Sequence, residues 1–205
     1  MGALIDYPVV ILGERHHKPE SGELVVQVAR AMLKRGSCLD VALEIRADHQ
    51  DLLNAAMEGE IPVEKVPIHP IIDHPAYRQM LKALAGLVQA GGCLKVLAID
   101  APWGAKVSRD AWMACALLGR ERPVLVLLGN LHALKKARWV NGMDDPFLAE
   151  RLVRAGVDVF SAVQVWEGEE KGEGTWVSAL DDRALGYVKK EASVAAIGPP
   201  ETALE

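Results

Sequence analysis

Two stretches of the chain repeat one order of residues: a short apolar run, a glycine, two further residues and a histidine. The first stretch is VVILGERH at residues 9–16, and the second is VLVLLGNLH at residues 124–132. Continuous apolar runs of this length are typical of strands buried on both faces of a parallel sheet. The repeated pattern therefore favours a parallel sheet with polar side chains where two of its strands end.

The rest of the sequence alternates further apolar runs with segments of helical period. Strands are predicted at residues 9–12, 39–45, 94–99, 124–128, 157–166 and 176–180, and helices at 23–35, 48–57, 76–89, 108–118 and 146–155. Asp48, Ser108 and Asp145 are the expected N-caps of three helices. The alternation predicts one α/β domain over residues 1–205, with a mostly parallel sheet between two layers of helices.

A proline-punctuated insertion at about residues 60–75 has neither helical nor alternating period. Such a stretch is typical of a flap, and its many isoleucines and valines are expected to pack on the rim of a cleft or on a second copy of the chain in a homodimer. Exposure is the expectation for His69, Asp73 and His74, with ligands on a flap or axial haem ligands as the alternative. Trp103 and Trp112 are expected to pack in the core or at the rim.

Charge and hydropathy narrow the possible partners. The net charge of −5 disfavours a broad surface for nucleic acid or anionic membranes, and no apolar run is long enough to span a bilayer. No export signal is visible at the N-terminus, although a chain that begins after a removed signal would look the same. We therefore expect a cytoplasmic protein with a small-molecule partner, or a periplasmic or lipid-anchored one if a signal is missing.

The three cysteines, Cys38, Cys93 and Cys115, are odd in number and lack the spacing of metal ligands. Two of them open apolar strands and the third lies in an apolar helix. Buried free thiols in a reducing compartment are the expectation.

Charged residues and histidines cluster in the sequence where the predicted strands end. In parallel sheets, ligands bind beyond the carboxyl ends of the strands. The residues at those ends are Glu14 and His16 after the first strand, Glu44 and Arg46 on the second, Asp100 on the third and His132 after the fourth. We expect them to form one site. His17 neighbours His16, and only one of the two can face it; the spacing that matches His132 favours His16.

Two imidazoles and two carboxylates permit two chemistries. A divalent metal held by His and carboxylate can activate water. Alternatively, one histidine acts as a general base, with Glu14 or Glu44 fixing its tautomer. A serine nucleophile is disfavoured because no Gly-x-Ser-x-Gly elbow is present, and the glycine patterns of nucleotide sites are absent. A cluster that only stabilises loop ends is the remaining alternative.

The motifs LGERHHKPE, ALEIR and LLGNLH resemble the superfamily that joins ChaN-type haem-binding proteins, erythromycin esterases and Tiki/TraB proteases, with the ChaN branch closest. The resemblance covers roughly residues 8–135. It implies a three-layer α/β fold and a catalytic site of Glu14, His16, Glu44 and His132, which are also the ligands if a divalent metal is present. Arg46, Asp100 and His17 are the implied substrate contacts, and the erythromycin-esterase spacing would select His17 over His16.

The resulting functional expectation is a hydrolase whose water is activated by this His/Glu cluster, with or without a divalent metal. The alternative is a non-catalytic protein that binds haem or another tetrapyrrole and serves iron uptake.

Overall fold

The computed structural model describes residues 6–139, 145–165, 175–178 and 194–197. The predicted strand ends at Trp166 and at residues 179–180 lie outside the described residues, as does the turn expected between the last two strands.

Six strands form one sheet, in the order β3-β2-β4-β1-β6-β7. Its strands are β1 (Val9–Glu14), β2 (Leu39–Arg46), β3 (Leu94–Asp100), β4 (Val124–Gly129), β6 (Val159–Val165) and β7 (Thr175–Ser178). All neighbours pair in parallel except β6 and β7, which are antiparallel. A separate antiparallel pair joins β5 (Ala137–Trp139) to β8 (Val194–Ile197). The predicted, mostly parallel sheet is confirmed.

Helices cover both faces of the sheet. They are α1 (Pro19–Lys34), α2 (Gln50–Glu58), α3 (Pro75–Gln89), α4 (Arg109–Leu117) and α5 (Leu148–Arg154). In β1, Val10 and Leu12 pack with α1, α2 and α3 in one core cluster, whereas Val9 and Ile11 pack with α4 and α5 in another. Both clusters are formed because alternate side chains of a strand point to opposite faces. The predicted three-layer α/β/α fold is confirmed.

Of the three predicted helix caps, only Ser108 caps its helix, by accepting a hydrogen bond from the backbone N–H of Ala111 at 3.3 Å. Asp48 instead binds the guanidinium group of Arg46, and a 3-10 turn over Ala47–His49 precedes α2. Asp145 pairs with Arg151, and α5 begins three residues beyond Asp145. In both corrections a nearby arginine binds the carboxylate that was expected to bind helical N–H groups.

Part of the proline-rich segment packs against the neighbouring helices, and its role as a flap stays a prediction. Val63, Val66 and Ile72 are buried in the core cluster of α1–α3. Arg78 of α3 donates to the carbonyl oxygens of Val63 and Val66 at 2.8 and 2.9 Å. The segment is thus attached to α3 by Arg78, and its buried side chains belong to the core beside the helices. Its mobility stays a prediction.

The prediction of buried free thiols is wrong. Cys38 and Cys93 form a disulfide, and Cys115 is exposed on α4. The two cysteines meet because Leu39 and Leu94 pair in register on adjacent parallel strands, so the residues before them are neighbours. Disulfides persist mainly in oxidising compartments, so the cysteines do not support the cytoplasmic location, which stays a prediction. Among the described residues, none of the helices combines the length and apolarity that crossing a bilayer requires.

Candidate active site

A cleft of about 580 Å³ opens at the carboxyl edge of the parallel sheet. Six of the predicted residues line it: Glu14, His16, Glu44, Arg46, Asp100 and His132. They come from the ends of β1, β2 and β3 and from the turn after β4, as expected for a parallel sheet. The structure therefore brings these six side chains together, while their catalytic, ligand and substrate-binding roles stay predictions.

The glycines of the repeated motif let its two histidine turns approach each other. A Cβ atom on Gly13 would lie 2.9 Å from the Cα atom of Asn130, so the 3-10 turn Asn130–Ala133 packs directly on β1. A Cβ atom on Gly129 would lie 3.4 Å from Nε2 of His16. A larger residue at position 13 would push the turn Asn130–Ala133 away from β1, whereas a Cβ atom at position 129 would only contact His16.

His16 and Glu14 form the first of two histidine–carboxylate pairs in the site. Nδ1 of His16 lies 3.1 Å from Oε1 of the buried Glu14. A carboxylate can only accept, so Nδ1 carries the hydrogen and Nε2 keeps its lone pair. Burial lowers the pKa of His16, but the hydrogen bond to Glu14 and the charges of Glu44 and Glu14 outweigh it and raise that pKa above 6.5.

The second pair joins His132 to Asp110 of α4, with 2.6 Å between Nδ1 and Oδ1. The same oxygen of Asp110 accepts from the backbone N–H of Leu148 at 2.7 Å, where α5 begins. Asp110 thus orients the imidazole and binds the first N–H of α5. Sequence reasoning missed Asp110, whose only signal is its place in the first turn of a helix capped by Ser108.

Arg109 joins two of the predicted carboxylates and was also missed. Its guanidinium group binds Glu44 and donates from Nη2 to Oδ2 of Asp100 at 2.9 Å. The backbone N–H of Gly129 donates to Oε2 of Glu44 at 2.8 Å. Burial raises the pKa of Glu44, but the charges of His132 and Arg109 and these hydrogen bonds bring it below 4.5. Glu44 is thus held as a carboxylate near His132.

His17 points away from the cleft. Its backbone has a φ of 69°, and its ring lies 5.3 Å from that of His74, centroid to centroid. His16 is therefore the histidine that faces the site, and the position of His17 gives no support to its predicted substrate contact. His74 itself is buried and accepts from the N–H of Tyr77 at 3.4 Å, so the expectation that it is exposed is wrong.

The remaining predicted residues lie at the mouth of the cleft or outside it. Arg46 lines the cleft and pairs with Asp48. His69 is exposed as expected and also lines the cleft, where its Nδ1 accepts from the N–H of Ile71 at 3.3 Å. Asp73 pairs with Arg78. Trp103 lies at the rim but is 89% exposed, so the expectation that it packs there or in the core is wrong.

The donor set fits a divalent metal poorly. Within residues 6–139 and 145–165, no three His, Cys, Asp or Glu side chains converge in a way that could hold a metal ion. The reason is visible in the contacts: Arg109 and Gly129 bind both oxygens of Glu44, and each histidine has its Nδ1 against a carboxylate.

Comparison with solved structures identifies the fold. ChaN of Campylobacter jejuni, in a structure of cofacial haem binding, matches with a TM-score of 0.64 and 14% identity over 85% of this chain and 88% of that chain. A mutant of the erythromycin esterase EreC in its open conformation has a TM-score of 0.63 and 12% identity over 94% and 82% of the two chains. The type III effector HopBA1 has a TM-score of 0.58 and 14% identity over 97% and 90%.

These likenesses show that the chain has the ChaN/erythromycin-esterase-like α/β fold, which confirms the resemblance at the level of fold. No protein-family model and no curated protein sequence matches the chain. Identity of 12–14% carries no residue role from these proteins to this one.

Proposed function

We propose that this protein is a hydrolase in which His16 is the general base and His132 the general acid. The observation that carries the proposal is the pair of histidine–carboxylate contacts in one cleft, His16 with Glu14 and His132 with Asp110. A carboxylate at Nδ1 fixes the tautomer and stabilises the imidazolium ion that forms in proton transfer.

The reaction starts with His16 neutral, so that its Nε2 lone pair can accept a proton, and with His132 as the imidazolium ion, which carries a hydrogen on Nε2 while its Nδ1–H faces Asp110. Nε2 of His16 takes a proton from water while the hydroxide oxygen bonds to the carbonyl carbon of an ester or amide. The bond to the leaving group then breaks, and Nε2 of His132 gives that group a proton. His16 then releases its proton to solvent and His132 takes one up. Both histidines regain their starting states, and one water is consumed for each bond cleaved.

Arg109 is suited to stabilise the negative charge of the intermediate. Its side chain is 44% exposed in the cleft, and its hydrogen bonds to Glu44 and Asp100 hold the guanidinium plane in place. Donors fixed before the reaction stabilise developing charge without reorganising during the reaction. Glu44 thus serves as a positioning residue for Arg109, and its charge also acts on both histidines.

Hydrolysis of p-nitrophenyl acetate by four variants tests the proposal. We expect kcat to fall about 10²–10⁴-fold in His16→Ala with this ester, and in His132→Ala with ethyl acetate, because ethoxide needs a proton to leave whereas p-nitrophenolate does not. Asp110→Asn keeps an acceptor for Leu148 but removes the carboxylate at His132, so it should lose activity without unfolding. His49→Ala, outside the cleft, is the control. Activity should survive chelation with EDTA. Full activity of His16→Ala would contradict the assignment of the base.

Stability measurements separate this proposal from a purely structural cluster. Chemical denaturation of His132→Ala should show a fold nearly as stable as the parent, because functional residues are often retained at some cost to stability. A structural network would instead lose about 3–5 kcal/mol when one partner of a buried ion pair is removed. Such a loss, with hydrolysis intact, would favour the structural alternative.

Haem binding is a second candidate, favoured by the similarity to a haem-binding ChaN structure and by the rim of the cleft. His69 would be the ligand of the iron, and Ile71 and Trp103 offer apolar surface. Because Nδ1 of His69 accepts from the N–H of Ile71, its Nε2 carries the hydrogen, so iron binding at Nε2 would require that hydrogen to move to Nδ1 and this hydrogen bond to break. Titration with haemin, followed by visible absorption, tests this role. A Soret shift that is lost in His69→Ala supports it, and no shift at micromolar haemin contradicts it.

A further inference from the structure

Two exposed apolar side chains stand over the polar floor of the cleft. Trp103 is 89% exposed and Ile71 is 52% exposed, and both line the cleft. The other large apolar side chains exposed in the described residues, Leu52, Val107 and Leu118, do not line it. Exposed apolar surface beside a polar site is typical of ligand-binding grooves.

Local contacts fix the backbone from which both side chains project. Trp103 occupies the second position of a turn closed by a hydrogen bond from the N–H of Ala105 to the carbonyl oxygen of Pro102, at 3.2 Å. Gly104 follows with a φ of 79°, the conformation that a type II turn requires at its third position. Ile71 precedes Ile72, whose side chain is buried in the core. The backbone positions of the two rim residues are thus set by a turn and by a buried neighbour.

The cleft carries no excess of positive charge that would attract an anion. Three arginines line it, and three carboxylates do so as well, namely Glu14, Glu44 and Asp100. Arg109 is bound by two of these carboxylates, and Arg46 is paired with Asp48. Asp110 adds a further negative charge behind His132. With His16 and His132 protonated, their two charges and those of the three arginines equal the five negative charges of Glu14, Glu44, Asp100, Asp110 and Asp48, so a negatively charged substrate gains little.

We propose that the cleft selects uncharged esters or amides with an apolar body, which Trp103 and Ile71 hold at the rim while the carbonyl group lies over His16. This inference rests on the proposed hydrolase function and names its substrate class. A cleft of about 580 Å³ has the size of sites that enclose drug-sized molecules. Each methylene group buried against the rim should improve binding roughly fourfold.

A chain-length series of p-nitrophenyl esters, from acetate to octanoate, tests the substrate class. The ratio of kcat/KM for octanoate to that for acetate should be at least tenfold in the parent protein and fall by at least fivefold in Trp103→Ala and Ile71→Ala. Leu118→Ala removes a comparable exposed side chain outside the cleft and should leave the ratio unchanged. A suberate half-ester, which carries a terminal carboxylate, should be a poorer substrate than the octanoate ester.

Equilibrium binding separates the substrate class from the reaction. Calorimetry with octanamide, octanoate and propanamide needs no turnover. Octanamide should bind at least tenfold more tightly than the other two. Trp103→Ala should reduce the difference from propanamide, which depends on the apolar rim, and leave the difference from octanoate, which depends on charge. If octanamide binds in this way but no ester is hydrolysed, the hydrolase proposal fails and the selectivity stands. If esters are hydrolysed without chain-length preference, or the anions are preferred, the substrate class is wrong.

Discussion

At the scale of single residues, the site depends on which of two adjacent histidines faces the cleft. The left-handed backbone of His17 turns its ring toward His74, and His16 is left beside Glu14 and Gly129. A non-glycine residue with positive φ is uncommon and costs free energy, so surrounding contacts must hold it. His16 consequently carries the raised pKa on which the proposed base chemistry depends.

The raised pKa of His16 predicts the pH dependence of hydrolysis. The base must be neutral, so kcat/KM should rise with pH through an apparent pKa above 6.5. Glu14→Gln removes the hydrogen bond to a carboxylate and the charge of Glu14, which raise the pKa together with the charge of Glu44, and should move this limb to lower pH. The pH–rate profiles of the parent and the variant measure the shift. An unchanged limb in Glu14→Gln would show that another group controls it.

The raised pKa of His16 makes its contribution to stability fall with rising pH, whereas activity rises. A histidine with a folded-state pKa above its unfolded value binds protons more tightly in the folded protein. Its contribution to the free energy of unfolding is therefore fully present below about pH 6.5 and is lost as pH rises through the raised pKa. Activity and this contribution to stability thus change in opposite directions over one pH window.

At the scale of elements, helix starts and strand ends are joined by single side chains. Arg109, the first residue of α4, binds the ends of β2 and β3, while Asp110 links α4 to the turn after β4 and to the start of α5. Arg78 plays the same part between α3 and the proline-rich segment. The rim of the cleft, which includes Ile71, depends on this last connection.

Arg78→Lys should loosen the proline-rich segment. Arg78 donates to two carbonyl oxygens and binds both oxygens of Asp73 at 2.7 Å, a geometry that an ammonium group cannot reproduce. We expect the free energy of unfolding to fall by about 1–3 kcal/mol and amide exchange to accelerate at residues 60–75. Urea denaturation and hydrogen exchange measure both changes.

Lys82→Ala is the control for this prediction. Lys82 lies on the same helix and pairs with Glu64, but both side chains are more than half exposed. Exposed pairs add little to stability, so this variant should match the parent protein. If Arg78→Lys also matches it, the segment is held by its buried valines and Ile72 alone.

At the scale of the whole molecule, the two ends of the parallel strands carry different features. The site lies where the strands end, and the disulfide between Cys38 and Cys93 joins two strands where they begin. This bond spans 55 residues, a stretch that includes α2, the proline-rich segment and α3. The disulfide therefore restricts two of the three helices of one layer, α2 and α3, and lies apart from the reacting groups.

The double variant Cys38→Ala/Cys93→Ala should be less stable by about 4 kcal/mol, because cross-linking residues 55 apart removes entropy from the unfolded chain. Urea denaturation measures the loss. Cys115→Ala, which removes the exposed thiol, is the control. Alkylation of the denatured, unreduced protein should modify one thiol per chain, and three modified thiols would show that the disulfide is absent.

The sequence by itself determined the layers, the mostly parallel sheet and the edge at which polar residues gather. The spacing of apolar residues and the ends of strands depend on residues that are close in sequence. Parallel strands then necessarily bring their carboxyl ends to one edge of the sheet. Glu14, His16, Glu44 and His132 could be assigned to that edge for this reason. The repeated glycines also carried information, since the turns they precede pack against each other.

Only the tertiary structure decided which partners these residues have. Arg109 and Asp110 reach the site because α4 packs beside β3 and the turn after β4, a contact between distant parts of the chain that leaves no local pattern. The choice of His16 over His17 depends on one backbone dihedral angle. The disulfide likewise depends on the register of β2 with β3, because cysteines 55 residues apart become neighbours only when the strands pair.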